Sequence, residues 1–236
     1  MTFYKALYPF YDRIFPLNQS AESFFVDLFK KGESILDIGA GTGSMAIALA
    51  EKGLKVTAVE PELEMANTIL SKASTKGVSV TVETNTMEEI EDLTENYDGI
   101  MCIGNTLPHL QSIEEIENFL KSCYLKLNQG GRLTLQTVNF ERFFASSDFS
   151  FPIISQEDFK FERKYESKGE KILFTTTLTS SETISNSIPL FPVTSKQILP
   201  LLKSIGYKEI KLFGNFMGAD YSVDSPAMIV VASKIN

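Results

Sequence analysis

Ser34-Ile-Leu-Asp-Ile38 is a short apolar run that breaks into Gly39-Ala-Gly-Thr-Gly43 and then into Met45–Lys52, where Ala and Leu recur at helical spacing. A strand that turns through closely spaced glycines into a helix commits the chain to a βα unit whose turn exposes bare backbone, because glycine has no Cβ to hold a ligand off. The following segments repeat the alternation. Lys55–Glu60 reads as a strand and Pro61 as the opening residue of a helix to about Ser74, since a first helical turn leaves its N–H groups unpaired anyway. Val78–Glu83 and Tyr97–Ile103 read as strands, Ile113–Leu127 as a helix, and Gly131–Val138 as a strand after a Gly-Gly turn. This order predicts an α/β fold with a doubly wound, mostly parallel sheet.

The pattern changes after about residue 140. Phe159–Tyr165 and Lys171–Leu178 alternate apolar and polar residues around a turn at Ser167-Lys-Gly-Glu170, and Ile184–Leu190 adds a third such run. Residues 148–190 are therefore expected to form a small antiparallel insertion after the fifth strand. Its place at the sheet edge where ligands bind makes it the expected roof of an acceptor site. Thr194-Ser-Lys-Gln197 reads as a capping box opening a helix to about Ser204, kinked by Pro200. The last two strands, Lys208–Phe213 and Ala227–Ser233, are joined too closely for a parallel crossover and must pair antiparallel.

Composition narrows the function. Among 236 residues, 22 Lys and Arg stand against 30 Asp and Glu, a net charge of −8. Residues 1–140 hold 11 basic and 19 acidic groups, and residues 141–236 hold 11 of each. Neither half carries the cationic footprint that a phosphate backbone needs, so no nucleic-acid partner is expected. The longest uncharged stretch, Gly99–Ile113, contains Asn, His, Gln and Ser and cannot span a membrane. Two cysteines, Cys102 and Cys123, in apolar surroundings and a start without a signal pattern point to a reduced, cytoplasmic protein, monomer or homodimer. With one His and two distant Cys, no metal site is expected. The acids Glu88, Glu89, Glu91, Asp92 and Glu95 read as a solvated helix face.

The chemistry begins with the glycine turn and Glu60. An acid at the tip of the second strand is placed to accept the ribose hydroxyls of an adenosine. A dinucleotide fingerprint requires G-x-G-x-x-G, but here the glycines fall at 39, 41 and 43, with Ser44 next. Asp37, two residues before the first glycine, would repel a pyrophosphate and suits a cationic amino-acid end. The combination favours S-adenosylmethionine over NAD. A nicotinamide-dependent oxidoreductase and a non-catalytic S-adenosylmethionine-binding protein are the competing readings.

Ile35-Leu-Asp-Ile-Gly-Ala-Gly-Thr-Gly43 resembles the first motif of the Rossmann-like, class I S-adenosylmethionine-dependent methyltransferases, and Val59-Glu-Pro61 resembles their second. Tyr97-Asp-Gly-Ile-Met-Cys-Ile-Gly-Asn-Thr-Leu-Pro-His-Leu110 is similar to the fourth strand and its loop in small-molecule members, including the glycine and sarcosine N-methyltransferase group. The resemblance implies one methyltransferase domain over residues 1–236, strand order 3-2-1-4-5-7-6 with the seventh antiparallel, and methyl transfer to N or O of a small-molecule acceptor. It implies that Asp37 and the backbone of Gly39, Ala40, Gly41, Thr42 and Gly43 face the methionine portion. Glu60 would bind the ribose, with Pro61 and Met87 near the adenine. Gly104 and Asn105 would face the sulfonium and methyl. Thr86 stands where many relatives carry an acid.

Three residues are candidates for the reaction itself: Asn105, His109 and Tyr11. His109 is the sole histidine, a possible base or a packed loop residue. In many relatives the leading segment, here residues 1–31, folds over the cofactor as a helical lid. Tyr4, Tyr8 and Tyr11 share one helical face of it, with Tyr11 the preferred lid residue. Arg142, Arg163 and Lys164 could meet an anionic acceptor or simply be solvated.

Overall fold

A computed structural model describes residues 7–146 and 150–235; Tyr4 lies outside them. Two helices, α1 (Tyr11–Ile14) and α2 (Gln19–Leu28), precede β1 (Ser34–Ile38), α3 (Ser44–Glu51), β2 (Lys55–Val59), α4 (Leu63–Lys76) and β3 (Val80–Glu83). Then come β4 (Tyr97–Cys102), α5 (Ile113–Lys126), β5 (Leu127–Val138) and α6 (Phe140–Ala145). Four strands follow, β6 (Ile154–Ser155), β7 (Lys160–Lys168), β8 (Lys171–Thr179) and β9 (Thr183–Leu190), and α7 (Ser195–Ile205), β10 (Lys208–Phe213) and β11 (Ala227–Ser233) complete the order.

The main sheet runs β3-β2-β1-β4-β5-β11-β10, parallel except that β11 is antiparallel to both β5 and β10. This is the expected seven-strand order. Strand alternation sends Leu36, Ile38, Ile100 and Cys102 to one face, where they meet Ile116, Phe119 and Cys123 of α5 and Ile198 and Leu202 of α7. Ile35, Val56, Ala58 and Met101 face the other way, against Phe25 of α2, Ile47 and Leu49 of α3, and Ile69 of α4. Apolar cover on both faces is what parallel strands require, and it aims every β1–β5 strand end at one edge.

The separate antiparallel sheet, ordered β6-β7-β8-β9, stands at that edge. Phe161 of β7 meets Phe15 edge-on with centroids 5.6 Å apart, and the Tyr165 hydroxyl accepts a hydrogen bond of 3.0 Å from Asn105 Nδ2. Gln111, in the loop after β4, donates to Pro189 O at 3.1 Å.

Two local readings are corrected. Pro61 does not open α4: Glu62 is its N-cap, and Glu60 Oε1 accepts from the Glu62 N–H at 3.1 Å, which delays the helix to Leu63. The Gly130-Gly131 pair is not a turn before β5 but lies inside it, because Gly130 N donates to Lys234 O and Lys234 N returns the bond to Gly131 O. The acids at 88–92 lie on a 3₁₀ helix, Met87–Asp92, started by a reciprocal Thr86–Glu89 capping box.

Candidate active site

β1 leaves the sheet through three left-handed glycines, and two of them are shaped by their neighbours. A Cβ on Gly39 would lie 2.5 Å from Thr106 Cγ2, and one on Gly41 would lie 2.8 Å from the Tyr11 hydroxyl. With φ of +74° and +59°, neither position suits an L side chain. Gly39 N and Ala40 N both donate to Val59 O, at 2.9 and 3.0 Å, so the turn is pinned to the end of β2. Gly43 does something else: it caps α3, and a side chain there would strike Ile69 of α4.

Two buried carboxylates flank the turn. Glu60 Oε2 accepts from Gly41 N at 2.8 Å, so the tip of β2 and the glycine loop are one rigid unit. Burial raises the Glu60 pKa, and the bonds from Glu62 and Gly41 N–H pull it back. Asp37, near the end of β1, is 3% exposed. Burial, with the Glu60 charge nearby, lifts its pKa to about 7.

Two hollows open beside these groups. The smaller, 210 Å³, is bounded by Asp37, Ala40, Thr42 and Ser44 below and by Tyr11 and Phe15 above. The larger, 390 Å³, is bounded by Glu60, Pro61, Met65, Thr86, Met87 and His109. Tyr11, Gly39 and Gly104 belong to both walls, so the hollows meet there. One end of the combined space thus holds a buried acid and hydroxyls, and the other an acid beside flat apolar surfaces.

Residues 35–131 match the methyltransferase domain family. Over 92% of this chain, and 83% of the relative, the sequence is 25% identical to the glycine/sarcosine N-methyltransferase of Aphanothece halophytica. An S-adenosylmethionine-dependent methyltransferase from Clostridium acetobutylicum superposes over all of both chains with a TM-score of 0.83 at 12% identity. CalS10, an amino pentose methyltransferase from Micromonospora echinaspora solved with S-adenosylmethionine bound, gives 0.70 at 17% identity over 99% of this chain and 97% of its own. Residues 35–131 thus form a methyltransferase domain, and the chain as a whole has the fold of the class I S-adenosylmethionine-dependent methyltransferases. Its cofactor is S-adenosylmethionine. Matches to ubiquinone biosynthesis O-methyltransferases, such as that of Pseudomonas syringae at 30% identity, reach only 46% of this chain and 45% of the relative.

Most of the residues expected to serve this methyltransferase gather around the two hollows, with instructive departures. The Asn105 side chain turns away from both. Its Nδ2 donates to Tyr165 and its Oδ1 accepts from Val138 N at 2.9 Å, which holds the left-handed backbone (φ +66°) of the loop and ties β4 to β5 and the second sheet. Thr86 lines the larger hollow, but its hydroxyl already accepts from Glu89 N–H as a cap. His109 lines the same hollow, and desolvation lowers its pKa, so the imidazole is neutral at pH 7. Lys164 pairs with Glu166 at 2.9 Å on the outer face of β7. Arg163 is different. It shares the inner face of β7 with Phe161 and Tyr165, its guanidinium lies 4.8 Å from the Phe151 ring centre, and its buried Nε has no hydrogen-bond partner.

Sequence reasoning missed Gln136, which accepts from Gly104 N at 2.7 Å and fixes the loop where the hollows meet. It also missed Met65, Asn85, Thr106 and Glu88 in the larger wall and Phe216 in the smaller. Gln136, Asn85 and Thr106 lie near strand ends, which signals such a role, whereas Met65 and Glu88 lie on helices and Phe216 in the loop between β10 and β11, where no local pattern does. Phe216 also borders a 710 Å³ cleft on the far side of α2 that includes Phe24, Arg132 and Lys211.

Proposed function

We propose that this methyltransferase moves the methyl group onto the nitrogen of a small acceptor that also carries an acidic group, by direct displacement. The meeting of the two hollows at Tyr11, Gly39 and Gly104 carries the reading. The residues fit the cofactor: Asp37, which no described donor reaches, offers a carboxylate to a cationic amino-acid end, and the bare Gly39–Gly41 backbone admits close approach. Glu60, with lone pairs left over from its two backbone donors, would take the ribose hydroxyls. Pro61 and Met87 would flank the adenine with Thr86 at its edge, and Gly104 would lie near the methyl.

Bound S-adenosylmethionine supplies a methyl carbon already activated by a cationic sulfur. The chain therefore has to align the acceptor and exclude water more than to supply a strong base. Tyr11 and Phe15 line the smaller hollow, where their rings would help exclude water around a bound ligand. Neutral His109 is able to take a proton from an ammonium acceptor, which must lose one before its lone pair can attack.

Nitrogen is favoured over oxygen because the relatives that match beyond the cofactor-binding half carry N-methyltransferase names. Arg163 supports an acidic group on the acceptor. Its strand neighbours on the same face, Phe161 and Tyr165, touch Phe15, which walls the smaller hollow, and Asn105, next to the shared Gly104, and its Nε is a buried donor without a partner. A cytoplasmic location agrees with two buried free thiols, Cys102 and Cys123. The test is a labelled-methyl assay on paired amines with and without a carboxylate. Acid-bearing amines should be preferred, and Arg163→Ala should raise their KM about tenfold or more while leaving plain amines unaffected. Equal use of both classes would remove Arg163 from the acceptor site.

A further inference from the structure

α1 is a single turn, too short to hold its own position, yet its first residue, Tyr11, helps wall both hollows. The next two residues hold it from opposite sides. Asp12 accepts from Thr42 Oγ1, from Ser44 Oγ at 3.2 Å and from Lys72 Nζ at 2.7 Å. Lys72 also donates to Ser44 Oγ at 3.0 Å and Thr42 Oγ1 at 3.3 Å, which closes a ring of charge-assisted bonds on the glycine loop and α4. Arg13 grips the second sheet. Nη1 and Nη2 meet the two Asp158 oxygens at 2.8 and 2.6 Å, Nε meets Gln156 Oε1 at 2.8 Å, and the guanidinium lies 4.8 Å from the Phe159 ring centre.

We propose that Asp12 and Arg13 are positioning residues that clasp Tyr11 across the junction of the hollows, so that the spent cofactor leaves only when the two ties loosen. The proposal rests on the reading that the hollows take S-adenosylmethionine. Asp12 reaches the glycine loop that would hold the cofactor. Arg13 reaches the sheet that would roof the acceptor. Neighbouring residues of opposite charge therefore link the occupancy of one region to the posture of the other. A forked Arg–carboxylate contact is suited to this, because it fixes direction as well as distance.

The test is stopped-flow release of S-adenosylhomocysteine from the wild type, Asp12→Asn, Arg13→Ala, Asp158→Ala, the Arg13→Ala/Asp158→Ala double variant and the exchanged pair Arg13→Asp/Asp158→Arg. Each single variant should release product about three- to tenfold faster, the double variant no faster than the singles, and the exchanged pair within about twofold of wild type. Wild-type release should accelerate between about 0.05 and 0.5 M NaCl, and Arg13→Ala should flatten that dependence, which a merely structural role would not do. Unchanged release in the single variants, or an exchanged pair that regains its melting temperature but not slow release, would overturn the clasp. Failure of the wild type to bind S-adenosylhomocysteine at all would instead refute the assignment of the hollows.

Discussion

Cofactor binding should be linked to a proton on Asp37. Burial and the Glu60 charge raise this carboxyl to about 7, so it is half protonated at neutral pH before any ligand arrives. A ligand ammonium placed beside it requires the ionised form and drives the proton off. The ionised fraction is roughly 0.1 at pH 6 and roughly 0.9 at pH 8, so affinity for S-adenosylhomocysteine should rise about tenfold over that range, equivalent to ~1.4 kcal/mol. Desolvation lowers the His109 pKa and favours the neutral imidazole, and Glu60, raised by burial, works in the same direction as Asp37. Calorimetry at pH 7 in phosphate and in Tris should show about half a proton released per ligand, visible as a buffer-dependent heat. The free protein should show the opposite sign. Its Asp37 pKa lies above the unfolded value of 3.8, so stability is present at low pH and falls as pH rises towards 7. Asp37→Asn should therefore melt higher than wild type at pH 8, by ~1–4 kcal/mol, while losing the ligand. An affinity that stays flat from pH 6 to 8, with no buffer-dependent heat, would refute the reasoning.

Three further outcomes are expected. Gly41→Val should abolish cofactor binding in calorimetry, because the side chain would collide with Tyr11 at a backbone angle that valine rarely adopts. Glu60→Ala should weaken binding by ~1–3 kcal/mol in the same titration through lost hydrogen bonds; an effect near zero would put the ribose elsewhere. Asn105→Ala should destabilise the fold by ~1–3 kcal/mol in urea unfolding, since the hydrogen bonds from Val138 N–H to Oδ1 and from Nδ2 to the Tyr165 hydroxyl are lost and the left-handed backbone loses a residue suited to it.

Short-range patterns were legible in the sequence. Ser34–Ile38, Lys208–Phe213 and Ala227–Ser233 read to the residue, because the first and last are largely apolar runs, the middle one mixes charged and apolar residues, and turn or loop residues bound them. The Asp37–Glu60 pairing was legible too, since two parallel neighbouring strands place their ends side by side. Asn105 was misread because its fate depends on Tyr165, sixty residues away on another sheet. The Asp12–Lys72 contact joins helices sixty residues apart, and no local pattern announces it. Pro61 obeyed a sound helix-start rule, but a side chain one residue upstream captured the cap first.

The order of strands also bears on how the chain is made. β11 is the last strand synthesised, yet it lies inside the sheet between β5 and β10, and Met228–Ser233 are buried. Until it emerges, β5 shows an unpaired edge to the cell and β10 has no partner. At ribosomal speed the stretch from Gly214 to Ser233 takes ~1–4 s. The cofactor half can be complete by then, so the nascent chain passes through a state with a formed ligand site and an open, sticky flank. Cofactor present during synthesis would stabilise that half without closing the flank, leaving chaperone demand concentrated in this late interval.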